Sequence, residues 1–227
     1  MIVLTGASGG LGTYLIERLS KDHEMVGTYN TNKPSQTNNT VSFYRVDTTD
    51  TNSIERFVAS VSEKLQKIVL INLAGVSIDG MGHKMTDDTW DRVVDTNLKG
   101  TFLMCRALLP FMRQQGWGRI VNISSIVGQI GVSGTVAYSA SKSGLFGLTR
   151  TLAAENAQKN ITVNTLALGY HNIGMINVIS PEIQEKIKAS IPMKRFGDPR
   201  NIELAIRFLI ECDYMTGTVV NINGGLI

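Results

Sequence analysis

Within its first five residues the chain passes from an apolar run into a glycine-rich turn. Met1–Thr5 (MIVLT) reads as a short buried strand, and Thr5-Gly6-Ala7-Ser8-Gly9-Gly10-Leu11-Gly12 follows without a break. Thr13–Ser20 then carries Leu15, Ile16 and Leu19 at helical spacing. Strand, glycine turn and helix in this order are the context that a dinucleotide fingerprint requires. Gly6 permits the tight turn. Gly10 and Gly12 let backbone approach a pyrophosphate and let the helix pack on the strand, with the helix N-terminus facing the anion.

The same alternation continues down the chain. Glu24–Tyr29, Val41–Val46, Lys67–Leu73, Arg119–Ser124, Ile161–Leu166 and Thr218–Ile222 read as further strands. Between them lie helical stripes: Ile54, Phe57, Val58, Val61 and Leu65; then Trp90, Val93, Val94, Leu98, Phe102, Leu103 and Leu109 in one long helix carrying Asn97. Leu145, Leu148 and Leu152 mark another helix, and Arg200–Glu211 the last one. This pattern predicts an α/β fold: a Rossmann-type, doubly wound parallel sheet in three layers, with helices on both faces. No repeat or linker interrupts it, so residues 1–227 are expected to form one domain.

Charge and cysteine content exclude several classes. The net charge of +3 is spread without a long basic or acidic block, so neither nucleic acid nor a membrane surface is an expected partner. No run reaches transmembrane length and no signal peptide is visible. Cys105 and Cys212 are far apart in apolar helical patterns, so buried free thiols in a reducing, cytoplasmic setting are expected. Asn-x-Ser/Thr matches at Asn38, Asn122 and Asn160 therefore carry no meaning. No metal site is expected.

The chemistry concentrates between Ser125 and Lys142. Ser125 ends a strand, where open α/β sheets place their ligands. Tyr138 follows thirteen residues later and Lys142 four after that, so phenol and ammonium share one helix face. A free tyrosine has a pKa of about 10, and a nearby ammonium favours the phenolate. Tyr138 can donate a proton to a carbonyl oxygen as it gains charge, while Ser125 hydrogen-bonds the same oxygen. At the end of the second strand the acid that would hold the adenosine ribose is absent. Thr28, Tyr29, Asn30, Thr31, Asn32 and Lys33 stand there, with no carboxylate to repel a 2′-phosphate and with Lys33 able to attract one.

Together these motifs resemble the short-chain dehydrogenase/reductase family, and within it the 3-oxoacyl-carrier-protein reductase-like group, over nearly the whole chain. Thr5–Gly12 looks like the family's TGxxxGxG, which implies cofactor contacts at Gly6, Ser8, Gly9, Gly10, Leu11 and Gly12. Asp47 and Thr48 fall where the family meets the adenine. Asn72-Leu73-Ala74-Gly75 looks like NNAG with Leu73 in place of the second Asn, implying contacts from Asn72, Ala74 and Gly75. Asn97, Ser125, Tyr138 and Lys142 match the catalytic tetrad. The resemblance implies Tyr138 as acid/base, Ser125 on the substrate oxygen, Lys142 on the nicotinamide ribose and the phenol, and Asn97 holding a relay water. The Tyr-x-x-x-Lys spacing differs from the longer spacing of enoyl reductases.

Two departures stand out. Where the family has PGxxxT, this chain has Leu168-Gly169-Tyr170-His171-Asn172-Ile173, so Gly169 is kept but Ile173 cannot donate a side-chain hydrogen bond to the nicotinamide carboxamide. Of the basic pair that docks acyl carrier protein, Lys159 is present but Gly116 replaces the other, so a carrier-protein partner is not implied. The resemblance implies NADPH-dependent reduction of a ketone or other carbonyl to a secondary alcohol, with NADP(H) preferred and NAD(H) possible. The alternatives are an NAD-dependent alcohol dehydrogenase and a dinucleotide-binding sensor or scaffold with weak turnover. Residues 169–192 and Ile126, Val127, Ile130 and Val132 are expected to line the substrate pocket, and His171 is read either as a substrate contact or as a surface-loop residue. A homotetramer or homodimer is expected through helices bearing Phe102, Leu109, Phe146 and Leu152 and through the segment Asn223–Ile227.

Overall fold

The computed structural model describes residues 1–35 and 40–227, with residues 175 and 177 described by their backbone alone. The Asn38 sequon lies outside the described residues. Among the described residues, seven strands form one all-parallel sheet: β1 (Ile2–Leu4), β2 (Met25–Tyr29), β3 (Val41–Arg45), β4 (Val69–Asn72), β5 (Gly118–Ser125), β6 (Ile161–Leu168) and β7 (Val219–Ile222). They stand in the order β3-β2-β1-β4-β5-β6-β7, with Val3 opposite both Val26 and Leu70. The helices are α1 (Gly10–Leu19), α2 (Thr51–Val61), α3 (Asp87–Val94), α4 (Gly100–Gln115), α5 (Val136–Asn156), α6 (Pro181–Ser190) and α7 (Pro199–Glu211).

The sheet is buried on both faces because successive residues of a strand point opposite ways. Val3 joins a core with Ile54, Phe57, Leu103, Leu108 and Leu152, under α2, α4 and α5. Ile2 and Leu4 join the other core with Leu15, Ile16, Ile202 and Ile206, under α1 and α7. Burying each such side chain is worth about 1.5–3 kcal/mol. Helix starts are capped from the sequence: Asp50 accepts from Asn52 N, Thr86 from Thr89 N, and Asp198 from Arg200 N ahead of Pro199.

Several boundaries differ from the sequence reading for identifiable reasons. Lys67 has φ +44°, a left-handed conformation incompatible with a strand, so β4 begins at Val69. The expected single helix from Trp90 to Leu109 is broken by a π-helical turn, Asp95–Lys99, between α3 and α4. Trp90 and Phe102 leave the buried stripe and are each 39% exposed. Leu109 and Leu152, expected at a subunit surface, are instead buried in this chain's own core. Cys105 is buried, and burial pushes its thiol up to about 12, but Cys212 is only half-buried. Asn122 is fully buried and cannot be a modification site.

Candidate active site

β1 and β4 are neighbours whose chains leave the sheet in opposite directions, so a crevice opens at their carboxyl ends. Two tight approaches shape it. Gly6 (φ +72°) lies so close to β4's exit that a Cβ there would sit 2.9 Å from Ala74 Cα, and a Cβ on Gly12 would collide with Gly6 O. Thr5 Oγ1 accepts from Leu73 N and Ala74 N, both at 3.0 Å, which ties the glycine turn to the end of β4. No side chain caps the start of α1, so its first N–H groups face the crevice uncovered. Across the opening, a Cβ on Gly10 would lie 3.0 Å from Gly174 Cα and 3.6 Å from Ile173 Cγ1, so the segment after β6 rests on the glycine turn.

The second half of the site is built on β5, the π turn and α5. The Ser125 hydroxyl, at the end of β5, accepts from Val127 N at 3.4 Å and lies close enough to the Tyr138 phenol, in the first turn of α5, to favour its ionised form. Lys142 lies one turn on, with Nζ 5.6 Å from the Tyr138 ring centroid and donating to Ile123 O at 2.8 Å. Ser124 Oγ donates to Lys142 O at 2.8 Å and Ser143 Oγ to Gly128 O at 2.6 Å, so this turn of α5 is fastened to β5 and the turn after it. Asn97 is fully buried. Its Oδ1 accepts from Val76 N (2.8 Å), and its Nδ2 donates to Val76 O (2.9 Å) and Ser141 Oγ (3.1 Å). Asn97 and Lys142 meet beside Gly75: a Cβ there would be 3.1 Å from Asn97 Oδ1 and 3.5 Å from Lys142 Nζ. The crevice thus brings together all four residues singled out from the sequence.

The electrostatics differ from the expectation of a lowered phenol. Burial pushes Tyr138 up to about 12, the Ser125 hydrogen bond pulls it down, and the Asp79 carboxylate pushes it up. Burial pushes Lys142 down to about 8. The reason is geometric: the ammonium is turned to the Ile123 carbonyl and lies over the ring rather than at the hydroxyl. Burial disfavours the charged form of each, and at neutral pH the phenol still holds its proton and Lys142 its charge.

A match to the short chain dehydrogenase family model covers residues 1–184. Nodulation protein G of Azospirillum brasilense is 39% identical over 99% of this chain and 96% of its own length. An acetoacetyl-CoA reductase of Shinella zoogloeoides is 38% identical over 98% and 96%. The 3-oxoacyl-acyl-carrier-protein reductase FabG of Thermotoga maritima is 39% identical over 81% and 76%. The chain belongs to the short-chain dehydrogenase/reductase family. A crystal structure of a candidate gluconate dehydrogenase from Agrobacterium tumefaciens superposes with a TM-score of 0.91 at 28% identity, covering 100% of this chain and 95% of that one.

As a short-chain dehydrogenase/reductase the chain is an NAD(P)-dependent oxidoreductase of the FabG-like type. The crevice fits a dinucleotide: its glycine turn has no room for Cβ atoms at Gly6 and Gly12, and its helix start carries no competing cap. Ser8, Gly9 and Gly10 are exposed on that turn, with Leu11 half-buried. Ala74 and Gly75 line the exit of β4. Asn72 is buried, and its Nδ2 donates to Asn122 Oδ1 (2.9 Å) inside the sheet, so it braces β4 against β5. Thr48 is buried against Gly100, and Asp47 Oδ1 accepts from Thr49 N (2.9 Å) and Thr49 Oγ1 (2.7 Å). Gly169 crosses closely over Asn223, and a Cβ on it would be 2.6 Å from Asn223 Cα.

Asn30 and Lys33 are exposed past the end of β2. Sequence reading missed Arg45 beside them. It ends β3 in register with Tyr29, and its Nε donates to Asn30 O at 3.0 Å. The signal was available only through the parallel pairing of β2 with β3. A cavity of about 420 Å³ opens there, with Asn30, Arg45, Asp47 and Arg56 in its lining. Ile126 and Val127 are buried in the protein and do not face the crevice freely, while Ile130 and Val132 are half-buried. His171 is neither a surface residue nor open to substrate. It is 6% exposed, packed on Gly197, with Nδ1 3.0 Å from Gly169 O. Burial lowers its pKa, against the Gly169 hydrogen bond and Asp198, so it stays neutral.

Proposed function

We propose that this enzyme reduces the 3-oxo group of a 3-oxoacyl thioester to the secondary alcohol, with NADPH as its reductant. The observation that carries the reading is the convergence of Ser125, Tyr138 and Lys142 on one crevice beside the glycine turn. The bound cofactor supplies hydride to the carbonyl carbon. Ser125 and Tyr138 are the two hydroxyls that would meet the carbonyl oxygen. Tyr138, protonated at neutral pH, gives its proton to that oxygen as negative charge develops, and Ser125 stabilises the same charge. Lys142 supplies the positive charge that holds the resulting phenolate until it is reprotonated. The reverse oxidation uses the same groups.

Substrate class rests on the relatives named as acetoacetyl-CoA reductases, joined to one local feature. Gly116, at the carrier-docking position, ends α4 in the left-handed conformation (φ +63°), where a side chain is disfavoured. With Lys159 alone, a coenzyme A thioester suits the surface better than a carrier protein. NADPH is favoured because no acid ends β2 and Lys33 and Arg45 stand near it. The test is Tyr138→Phe with acetoacetyl-CoA and saturating NADPH. It keeps the ring and is expected to reduce turnover at least about 100-fold. A folded variant turning over at the wild-type rate would refute the assignment.

A further inference from the structure

We propose that Ser141 is a positioning residue that locks Asn97 and Tyr138 into one rigid unit; the inference rests on the reading of those two residues given above. Ser141 is fully buried inside α5. Its Oγ donates to Tyr138 O at 2.7 Å and accepts from Asn97 Nδ2 at 3.1 Å. A hydroxyl has one proton, and the carbonyl takes it, so the direction of both bonds is determined. The remaining Asn97 groups are equally committed: Oδ1 accepts from Val76 N, and the second Nδ2 hydrogen goes to Val76 O. The amide cannot flip, because Val76 N requires an acceptor. The result is a continuous chain from the segment after β4, through the π turn, to the carbonyl of the residue that bears the phenol.

Each link has a specific reason to be there. A serine that bonds its own helix three residues back is ordinary and mildly unfavourable to the helix. The bond from Asn97 is what gives this one a task. It reaches across from the π turn, on another element, to the turn of α5 that carries Tyr138 and Lys142. Because every Asn97 side-chain hydrogen is spent, Asn97 can present only its main-chain carbonyl to the crevice. That carbonyl already accepts from Thr101 Oγ1 at 2.9 Å. Removing the Ser141 hydroxyl leaves one Asn97 N–H without a partner in a fully buried place and removes the hydrogen bond that joins α5 to the π turn. The reacting groups then lose their mutual registry while the glycine turn between β1 and α1 is untouched.

The experiment is a double-mutant cycle with Ser141→Ala and Asn97→Ala, assayed with acetoacetyl-CoA and NADPH, alongside Tyr138→Phe. Ser141→Ala is expected to lower kcat about tenfold, the size of one lost buried hydrogen bond, with KM for NADPH within about twofold of wild type. The double variant is expected to match Asn97→Ala alone, since both break one chain. The kcat–pH profile of Ser141→Ala should also shift, which a merely structural serine would not cause. Additive effects, or a lowered melting temperature with kcat and pH profile unchanged, would overturn the proposal. Should Ser141→Ala fail to fold, Ser141→Cys, which keeps the shape but bonds weakly, is judged by the same criteria. If Tyr138→Phe keeps the wild-type rate, the functional reading itself fails and this proposal falls with it.

Discussion

Replacing Lys142 by Met should make the protein more stable at neutral pH while abolishing its turnover. Lys142 is 5% exposed, and its ammonium makes one hydrogen bond, to Ile123 O at 2.8 Å. Burial pushes its pKa down from 10.5 to about 8. The unfolded chain therefore binds this proton more tightly than the folded one. Below about pH 8 the charge is carried in both states and the fold bears the full cost. Stability then rises with pH through the window from about 8 to about 10.5, where the unfolded chain alone still holds the proton. The cost at pH 7 is roughly 3 kcal/mol at about 1.36 kcal/mol per pKa unit. Methionine keeps the stem but loses the bond to Ile123, which offsets about 1 kcal/mol. The net gain of about 2 kcal/mol corresponds to a Tm higher by roughly 4–8 °C for a chain of this size. Urea melts at pH 7 and pH 9.5 test this, because the gap should be wide at the first and narrow at the second. The comparison stops below pH 10, where Tyr138, pushed up to about 12, begins to destabilise the fold as the unfolded phenol ionises. A methionine variant less stable than wild type at pH 7, or a gap independent of pH, would refute the reasoning.

Two further outcomes are expected. NADPH should bind at least about fivefold more tightly than NADH, equivalent to roughly 1 kcal/mol from one partly exposed cation, and Arg45→Ala should erase most of that preference in a fluorescence titration; equal affinities in the wild type would reject the role given to Lys33 and Arg45. Gly12→Ala forces a methyl onto Gly6 O, and the backbone cannot yield because Gly6 is itself pressed on Ala74. Overpacking of this kind costs about 1–3 kcal/mol, so calorimetry should show a melting temperature lower by several degrees, together with lost cofactor binding.

The strands were legible because each is an apolar, β-branched run bounded by turn residues, and because glycine marks the first turn. The π turn was not legible. Leu98, Phe102 and Leu103 preserve helical spacing across it, and only the burial of Asn97 on the inner side reveals that an extra residue has been accommodated. Contacts between distant elements were equally hidden. Asn72, Asn122, Thr149 and Thr165 form a buried hydrogen-bonded chain across β4, β5, α5 and β6, although each sits in a segment that reads as apolar. His171 looked like a loop residue and is buried because Gly197, twenty-six positions on, leaves room for its ring. The site itself was readable through spacing, since Ser125, Tyr138 and Lys142 lie on two consecutive elements. Arg45 and Ser141 were not, since each acts across a strand pair or between helices.

The departures from the family pattern make sense where the main chain carries the contact. Leu73 replaces an asparagine, yet the bonds at that position run from Leu73 N and Ala74 N to Thr5 Oγ1, so the side chain is free to become apolar and pack against the α1–α7 core. Leu168 replaces a proline, and proline has no N–H to give a sheet. Here β6 continues to Leu168, paired with Ser125 on one side and Ile222 on the other, and Gly169 N goes on to bond Ile222 O at 2.9 Å. The strand is two residues longer than its apolar run suggests, and it braces the end of β5 that carries Ser125. Ile173 is different, because its own N–H is spent on His171 O at 2.7 Å and its side chain lies against the glycine turn. That position offers a cofactor an apolar contact where a threonine would offer a hydrogen bond. We propose that the nicotinamide is oriented instead from the opposite wall, where Gly75, Asn97 and Lys142 converge.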